Sequence, residues 1–365
     1  MSVLPKLGLG SEKYRALTGV RAVGACVVFF DHVPLLPDAH VVINVMAFFF
    51  VLSGFLIARI YYQQVQLQRE WLTKYFVNRF ARIYPVYFLL LTIMVVLRYP
   101  VRPVYLLTNY TLTHALFHGG SMLIQASWSL TVEETFYFLA PVFMLLTRRW
   151  NFLAPFALGW LLLAGAYFVS TLGYSFLGTP LFMFSATFFG NFLEFFAGFY
   201  LALVVMRAEE RGTLSVRGWR STGAGLFAVV LLSAAMMLVY RRTPLNFSAI
   251  ILINNFLLPF PIALLYWGLI RETTWLSRLL STKFAGLLGR SSYCFYLLQG
   301  TVVAYLPVSE PESAGPVAAL LFFGLLWGGA ILLFVAYEEP LNVRIRNRFR
   351  SQDQSVGMRA TLFRA

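Results

Sequence analysis

Apolar stretches of roughly twenty residues, broken by short polar or Pro- and Gly-containing segments, recur along almost the whole chain. A helix needs about 20 mostly apolar residues to cross a bilayer. By that measure ten spans are predicted, over 16–34, 41–61, 83–98, 129–147, 151–171, 181–206, 223–240, 247–270, 286–306 and 315–337. The third is short. The segment 99–127, with Pro100, Pro103, His114 and His118, is too polar to span and reads as a loop lying on the membrane. The expected fold is an all-α membrane protein, a polytopic bundle of about ten transmembrane helices. Residues 1–340 form one transmembrane domain and 341–365 a short basic tail.

Composition narrows the class further. Of 365 residues, 59% are apolar and 12% charged, against about 45–50% and about 25% in soluble domains. The 36 Phe exclude disorder, and two cysteines exclude a disulfide framework. Cys26 and Cys294 fall inside spans, where a buried thiol is the ordinary reading. No cleavable signal is evident, because the first apolar stretch is of full spanning length and another span follows it. A net charge of +14 would suggest nucleic acid for a soluble protein. Here its placement points elsewhere: with the N-terminus cytoplasmic, strict alternation over ten spans puts 25 of the 29 Lys and Arg on the cytoplasmic side. Both termini are then cytoplasmic, and the positive charge marks topology rather than a nucleic-acid partner.

Ionisable groups inside a bilayer cost about 2.5–3.5 kcal/mol on insertion scales, so the few within spans are functional candidates. They are Asp31 and His32 in the first span, Glu133 and Glu134 in the fourth, and Glu194 in the sixth, with Asn191 one turn before it. Arg21 and His32 lie about 16 Å apart along a helix and within about 20° of one stripe. Coenzyme A suits that geometry, its phosphates at the arginine and its pantetheine arm reaching toward the imidazole. A snorkelling arginine and a histidine hydrogen-bonded between helices suit it as well. Glu133 shares a face with Tyr137 and can orient a histidine or accept a proton; it can equally pair with Arg98 or Arg102. Arg79 and Arg82, three apart on one helix face, can grip a phosphate or meet lipid headgroups. Asn44, Ser53 and Gly54 read as packing residues.

Taken together, these segments resemble a known family. Arg21 and His32 in the first span, FFFVLSGFLI (Phe48 to Ile57), RFARIYP (Arg79 to Pro85), SWSLTVEETFYFLAP (Ser127 to Pro141), SSYCFYLLQ (Ser291 to Gln299) and the closing YEEPLNVRIR resemble the acyltransferase-3 family of integral-membrane acyltransferases. The resemblance covers nearly the whole chain in order. It implies transfer of an acyl group, most often acetyl, from cytoplasmic acyl-CoA to a hydroxyl of a glycan, a lipid-linked sugar or a small molecule. It also implies residence in the bacterial cytoplasmic (inner) membrane. Arg21 and His32 match the family's arginine and histidine of the first span, Arg79 and Arg82 its paired arginines implicated in CoA binding, and Glu133 the glutamate of its WSL-x-x-E motif. Two positions depart. Gln299 stands where members often carry His, and Thr18-Gly19-Val20 precedes Arg21 where many have Asp-Gly-Leu. Members often carry a hydrolase-like domain at the C-terminus; here only a short basic tail is expected over 341–365.

The expected site is therefore His32 as the reacting imidazole, Glu133 fixing its tautomer, Asp31 as an accessory acid, and Arg21, Arg79 and Arg82 holding the donor, acyl-CoA, with no metal. His32 either deprotonates the acceptor hydroxyl or is itself transiently acylated. The rival class is a proton-coupled transporter or flippase of a glycan or lipid-linked substrate. Against it stand the absence of matching halves and of paired broken helices in the sequence.

Overall fold

The computed structural model describes residues 14–32, 42–97, 100–117, 122–172, 178–242, 247–302 and 311–349. Among them no strand occurs, and an isolated bridge joins Val216 and Glu272. The helices are α1 (Arg15–His32), α2 (Val42–Tyr61), α3 (Arg69–Leu97), α4 (Pro103–Tyr110), α5 (Trp128–Arg149), α6 (Leu153–Thr171), α7 (Pro180–Ala186), α8 (Phe188–Glu210), α9 (Arg220–Arg242), α10 (Phe247–Ile251), α11 (Pro259–Arg271), α12 (Trp275–Leu280), α13 (Lys283–Val302) and α14 (Pro311–Leu333). Eight helical segments are long and apolar enough to cross a membrane, and they correspond to all the expected spans except the first and ninth. Those two, α1 and α13, are helices of 18 and 20 residues that carry more polar groups and pack on each other.

Burial sorts centre from rim. In the segment containing α8, 78% of the most apolar window is buried, against 22% for α9 and 22% for the segment containing α14. A helix apolar on every side is a buried one or faces lipid, so α8 forms the axis and α9 and α14 the lipid-facing wall. The axis is cemented by phenylalanines: Phe195 stacks on Phe50 of α2 at 5.0 Å and on Phe136 of α5 at 4.3 Å between ring centroids. Helices α2 and α8 approach so closely that a Cβ at Gly198 would lie 1.8 Å from the Val51 carbonyl oxygen. Only glycine fits there, which bears out the packing role expected at Gly54, whose Cβ would meet the Phe195 carbonyl in the same contact.

Three expectations are corrected. Helix α3 begins at Arg69 rather than at 83. The apolar run stops at Arg82, but a helix does not require apolarity where its polar face lines a cavity, as it does here. Second, the sixth and eighth spans are not continuous. Thr187 is extended (φ −119°, ψ 159°) between α7 and α8, and residues Leu252–Leu257 form a π-helical turn between α10 and α11. The two irregularities adjoin: Asn255 Nδ2 donates to the carbonyls of Phe184 (2.8 Å) and Gly190 (3.1 Å), so one break satisfies the groups freed by the other. Third, the segment 99–127, which supplies no span of its own before Gln125, is more than a loop. It holds α4 and two 3₁₀ turns, and its Asn109 and His114 are fully buried. Tyr87 of α3 donates to the Asn109 carbonyl (2.8 Å), and His114 Nε2 meets the Ser127 hydroxyl at 3.0 Å. Beyond Leu333 the chain makes a second π-helical turn, Phe334–Glu338, and stays helical to Phe349, so the expected domain boundary at 340 falls within a helix.

Candidate functional site

A cavity of about 1100 Å³ opens between α1, α2, α3, α5, α13 and the last helix. Eight Lys and Arg line it against three Glu, so it is built to hold an anion. Its wall runs from Arg346 and Lys74 to Ser53, Glu133 and Tyr137.

Arg21, Arg79 and Arg82 all line this cavity, each in a different setting. Arg21 Nε donates to the Ser292 hydroxyl of α13 at 3.4 Å. Arg79 lies against the rings of Tyr61 (5.4 Å) and Tyr137 (5.7 Å) and donates to the Tyr61 hydroxyl at 3.2 Å. Its buried Nε has no partner. Arg82 is ion-paired with Glu338 of the π-helical turn, a carboxylate only 1% exposed that also accepts from Cys294 Sγ at 3.0 Å. Two of the three arginines therefore keep donors for an anion, while the third also neutralises a buried acid.

The carboxylate end is a compact hydrogen-bonded group. Ser53 donates to Glu133 Oε1 at 2.5 Å, and the Tyr137 hydroxyl reaches Glu133 Oε2 at 3.3 Å and Ser53 at 3.4 Å. Of the adjacent acids only Glu133 lines the cavity. Its partners lie on α2 and α5, and Arg102 is exposed at the start of α4, so the pairing with Arg102 is not made. Ser53 is thus more than the packing residue its neighbours suggested. A serine beside a glycine at a helix contact carries no local sign that it binds a carboxylate eighty residues away. Glu338 and Ser292 were missed similarly, although both belong to segments with family character.

The side chains of His32 and Asn44, and Arg98 and His118, lie outside the described residues. Helix α1 ends at His32, three turns beyond Arg21, and Asp31 lines neither cavity of the bundle. Glu194 is fully buried in α8 beside the α2 contact and lines neither cavity. His114, a fully buried neutral ring, is pushed by burial from 6.5 down to about 4.

Ionisable groups gathered on one cavity of a polytopic bundle mark it as the candidate functional site. The model of an acyltransferase domain, that of the acyltransferase-3 family, matches residues 14–338, and the chain belongs to that family. It is a multi-pass membrane acyltransferase. No curated protein and no solved structure matches it.

Proposed function

We propose that the protein moves an acetyl group from cytoplasmic acetyl-CoA to a hydroxyl of a glycan, a lipid-linked sugar or a similar acceptor, in a bacterial cytoplasmic membrane. The observation that carries this reading is the meeting of Arg21, Arg79 and Arg82 with Glu133 in one cavity. CoA is a polyphosphate with a long neutral arm, and the cavity wall carries eight Lys and Arg together with the carboxylate of Glu133. Cytoplasmic entry is supported by the same charge, since basic residues collect on that side.

In the reaction the C–S bond of the thioester breaks and a C–O bond to the acceptor forms. The hydroxyl proton passes to His32 and on to the departing thiolate. If His32 is first acylated, its nitrogen carries the acyl group between the two bonds. Glu133, held by Ser53 and Tyr137 in the cavity with Arg21, stabilises the imidazolium by its charge.

The test is binding and turnover of the protein in lipid nanodiscs. CoA raises the thermal midpoint, because a ligand of the native state stabilises it, and Arg21→Ala or Arg79→Ala abolishes that rise. Stabilisation by a glycan with none by CoA would instead favour a carrier.

A further inference from the structure

A second cavity, of about 400 Å³, lies about one helical turn beyond the first. On α2, Phe49 lines the basic cavity and Met46 this one; on α13, Tyr293 lines the first and Tyr296 the second. The Tyr296 hydroxyl in the wall of the second cavity meets Ser129 at 2.9 Å and donates to the Ala126 carbonyl at 2.8 Å.

The chemistry of the two cavities is opposite. The described lining of the second holds no Lys, Arg, Asp, Glu or His. It holds the carboxamides of Gln125, Asn191, Asn254 and Gln299 beside the rings of Trp128 and Tyr296. Asn254 and Gln299 are each 2% exposed. Their orientation follows from their neighbours. Gln299 turns its nitrogen to the Val28 carbonyl (3.1 Å). Asn255 turns its nitrogen to two carbonyls, which leaves its oxygen to accept from Asn254 Nδ2 at 2.8 Å. The oxygens of Asn254 and Gln299 are thereby left buried with no donor. An unpaired buried acceptor costs about 1–3 kcal/mol, and both line this cavity. Asn254 also stands on the π-helical turn, and Ser185 and Ala186 of the wall stand at the end of α7 beside the extended Thr187. The two helix irregularities therefore build this wall, and irregular backbone at membrane depth is tolerated where it lines a cavity.

We infer that this cavity is the acceptor site and that it takes a neutral sugar ring or similar polyol, whose hydroxyls donate to Asn254 Oδ1 and Gln299 Oε1 while its C–H face lies on Trp128 or Tyr296. The inference rests on the acyl-transfer reading. A sugar acid or amine would enter without a counter-charge and lose its hydration. Val28, whose carbonyl fixes Gln299, stands one turn before His32 on the same stripe of α1. The acceptor thus waits at the His32 end of that helix and the donor phosphates at the Arg21 end.

Membranes of the native host, which contain the acceptor, supplied with radiolabelled acetyl-CoA provide the test. Asn254→Leu and Gln299→Leu keep shape but lose the acceptor atoms, and each lowers label incorporation at least about tenfold. Ala186→Trp fills the cavity and does the same. The rise in thermal midpoint with CoA stays as in the unaltered protein, which shows that the variants fold; if one leucine variant loses it, Ala186→Trp carries the result. Label recovered in chloroform–methanol indicates a lipid-linked sugar, and label in the aqueous polymer a finished glycan; either agrees with the site. Full incorporation by the three variants overturns the inference alone, as does label carried on a uronic acid or an unacetylated amino sugar. An unaltered protein that neither binds CoA nor labels anything overturns the acyl-transfer reading, and this inference with it.

Discussion

The basic cavity and the amide cavity lie about one turn of helix apart and share α1, α2, α5 and α13, yet their walls offer different physics. The basic cavity uses charge, with eight Lys and Arg against three Glu. Charge acts at a distance, tolerates a flexible ligand and draws it in. The amide cavity uses directional hydrogen bonds and aromatic faces, which act only at contact. A site that hydrogen-bonds a hydroxyl rejects ligands lacking it far better than an apolar one can. A transferase that draws one donor from a mixed pool of anions and selects one hydroxyl among many gains from this division. Between them, α1 carries Arg21 on one wall, Val28 on the other, and ends at His32.

The largest effect is expected where the two sites must cooperate. His32→Ala should lower acyl transfer by about 10²–10⁴-fold, measured as product formed from acetyl-CoA in native membranes, and leave the CoA-induced rise in thermal midpoint intact. Product formation at the normal rate would mean that the chemistry is not on α1. The next effect breaks the equivalence of the three arginines. Arg82→Ala leaves Glu338 buried without its cation, which costs about 3–5 kcal/mol of stability. The thermal midpoint falls before any ligand is added. Arg82→Ala combined with Glu338→Gln should recover most of that loss. Arg79→Ala should cost less stability than Arg82→Ala and raise the donor KM, because the hydrogen bond and ring contacts of Arg79 are to the neutral Tyr61 and Tyr137. If the two single variants behave alike, the distinction drawn from their partners is wrong.

How much of this was legible in the sequence follows from where the information sits. The order of spans, the Arg21 to His32 stripe and the pairing of Glu133 with Tyr137 on one face are local periodicities, and they read directly. Helix α3 extends fourteen residues beyond its apolar run because Arg79 and Arg82 face a cavity that no hydropathy window can register. The break at Thr187 and the π-helical turn at Leu252–Leu257 have no strong local signal, since each is made tolerable by the other through Asn255. For that reason the amide cavity was invisible: Asn191, Asn254 and Gln299 are isolated amides in three apolar stretches until the fold brings them together. The basic cavity differs: Arg21, Arg79, Arg82 and Glu133 each stand in a local motif that spacing and family resemblance make legible.

A smaller effect separates the two ends by pH. His114, in the segment that leads to Trp128 and the amide cavity, is buried neutral with its pKa pushed down to about 4. The unfolded chain takes up that proton near 6.5 and the native one does not, so stability is complete above about 6.5. It falls as pH drops toward 4, by on the order of 3 kcal/mol. Hydrogen exchange should show residues 103–117 opening over this range while the α1–α13 contact stays protected. His114→Gln should remove the dependence. Equal loosening at both ends would place the sensitive group elsewhere.

The smallest effect tests the seam between the sites. Ser53→Ala removes the 2.5 Å hydrogen bond to Glu133 but leaves the one from Tyr137, so the carboxylate keeps half of its support. A hydrogen bond to a charged group contributes about 1.5–3 kcal/mol, part of which water recovers in an open cavity. The expected result is a fall in kcat of about tenfold, on the order of 1.4 kcal/mol, with the donor KM and the CoA-induced stabilisation unchanged. Ser53→Thr, which restores a hydroxyl, should restore most of the rate. A change confined to the donor KM would instead make Ser53 part of the anion-binding wall, and Glu133 would then belong with the arginines rather than with His32.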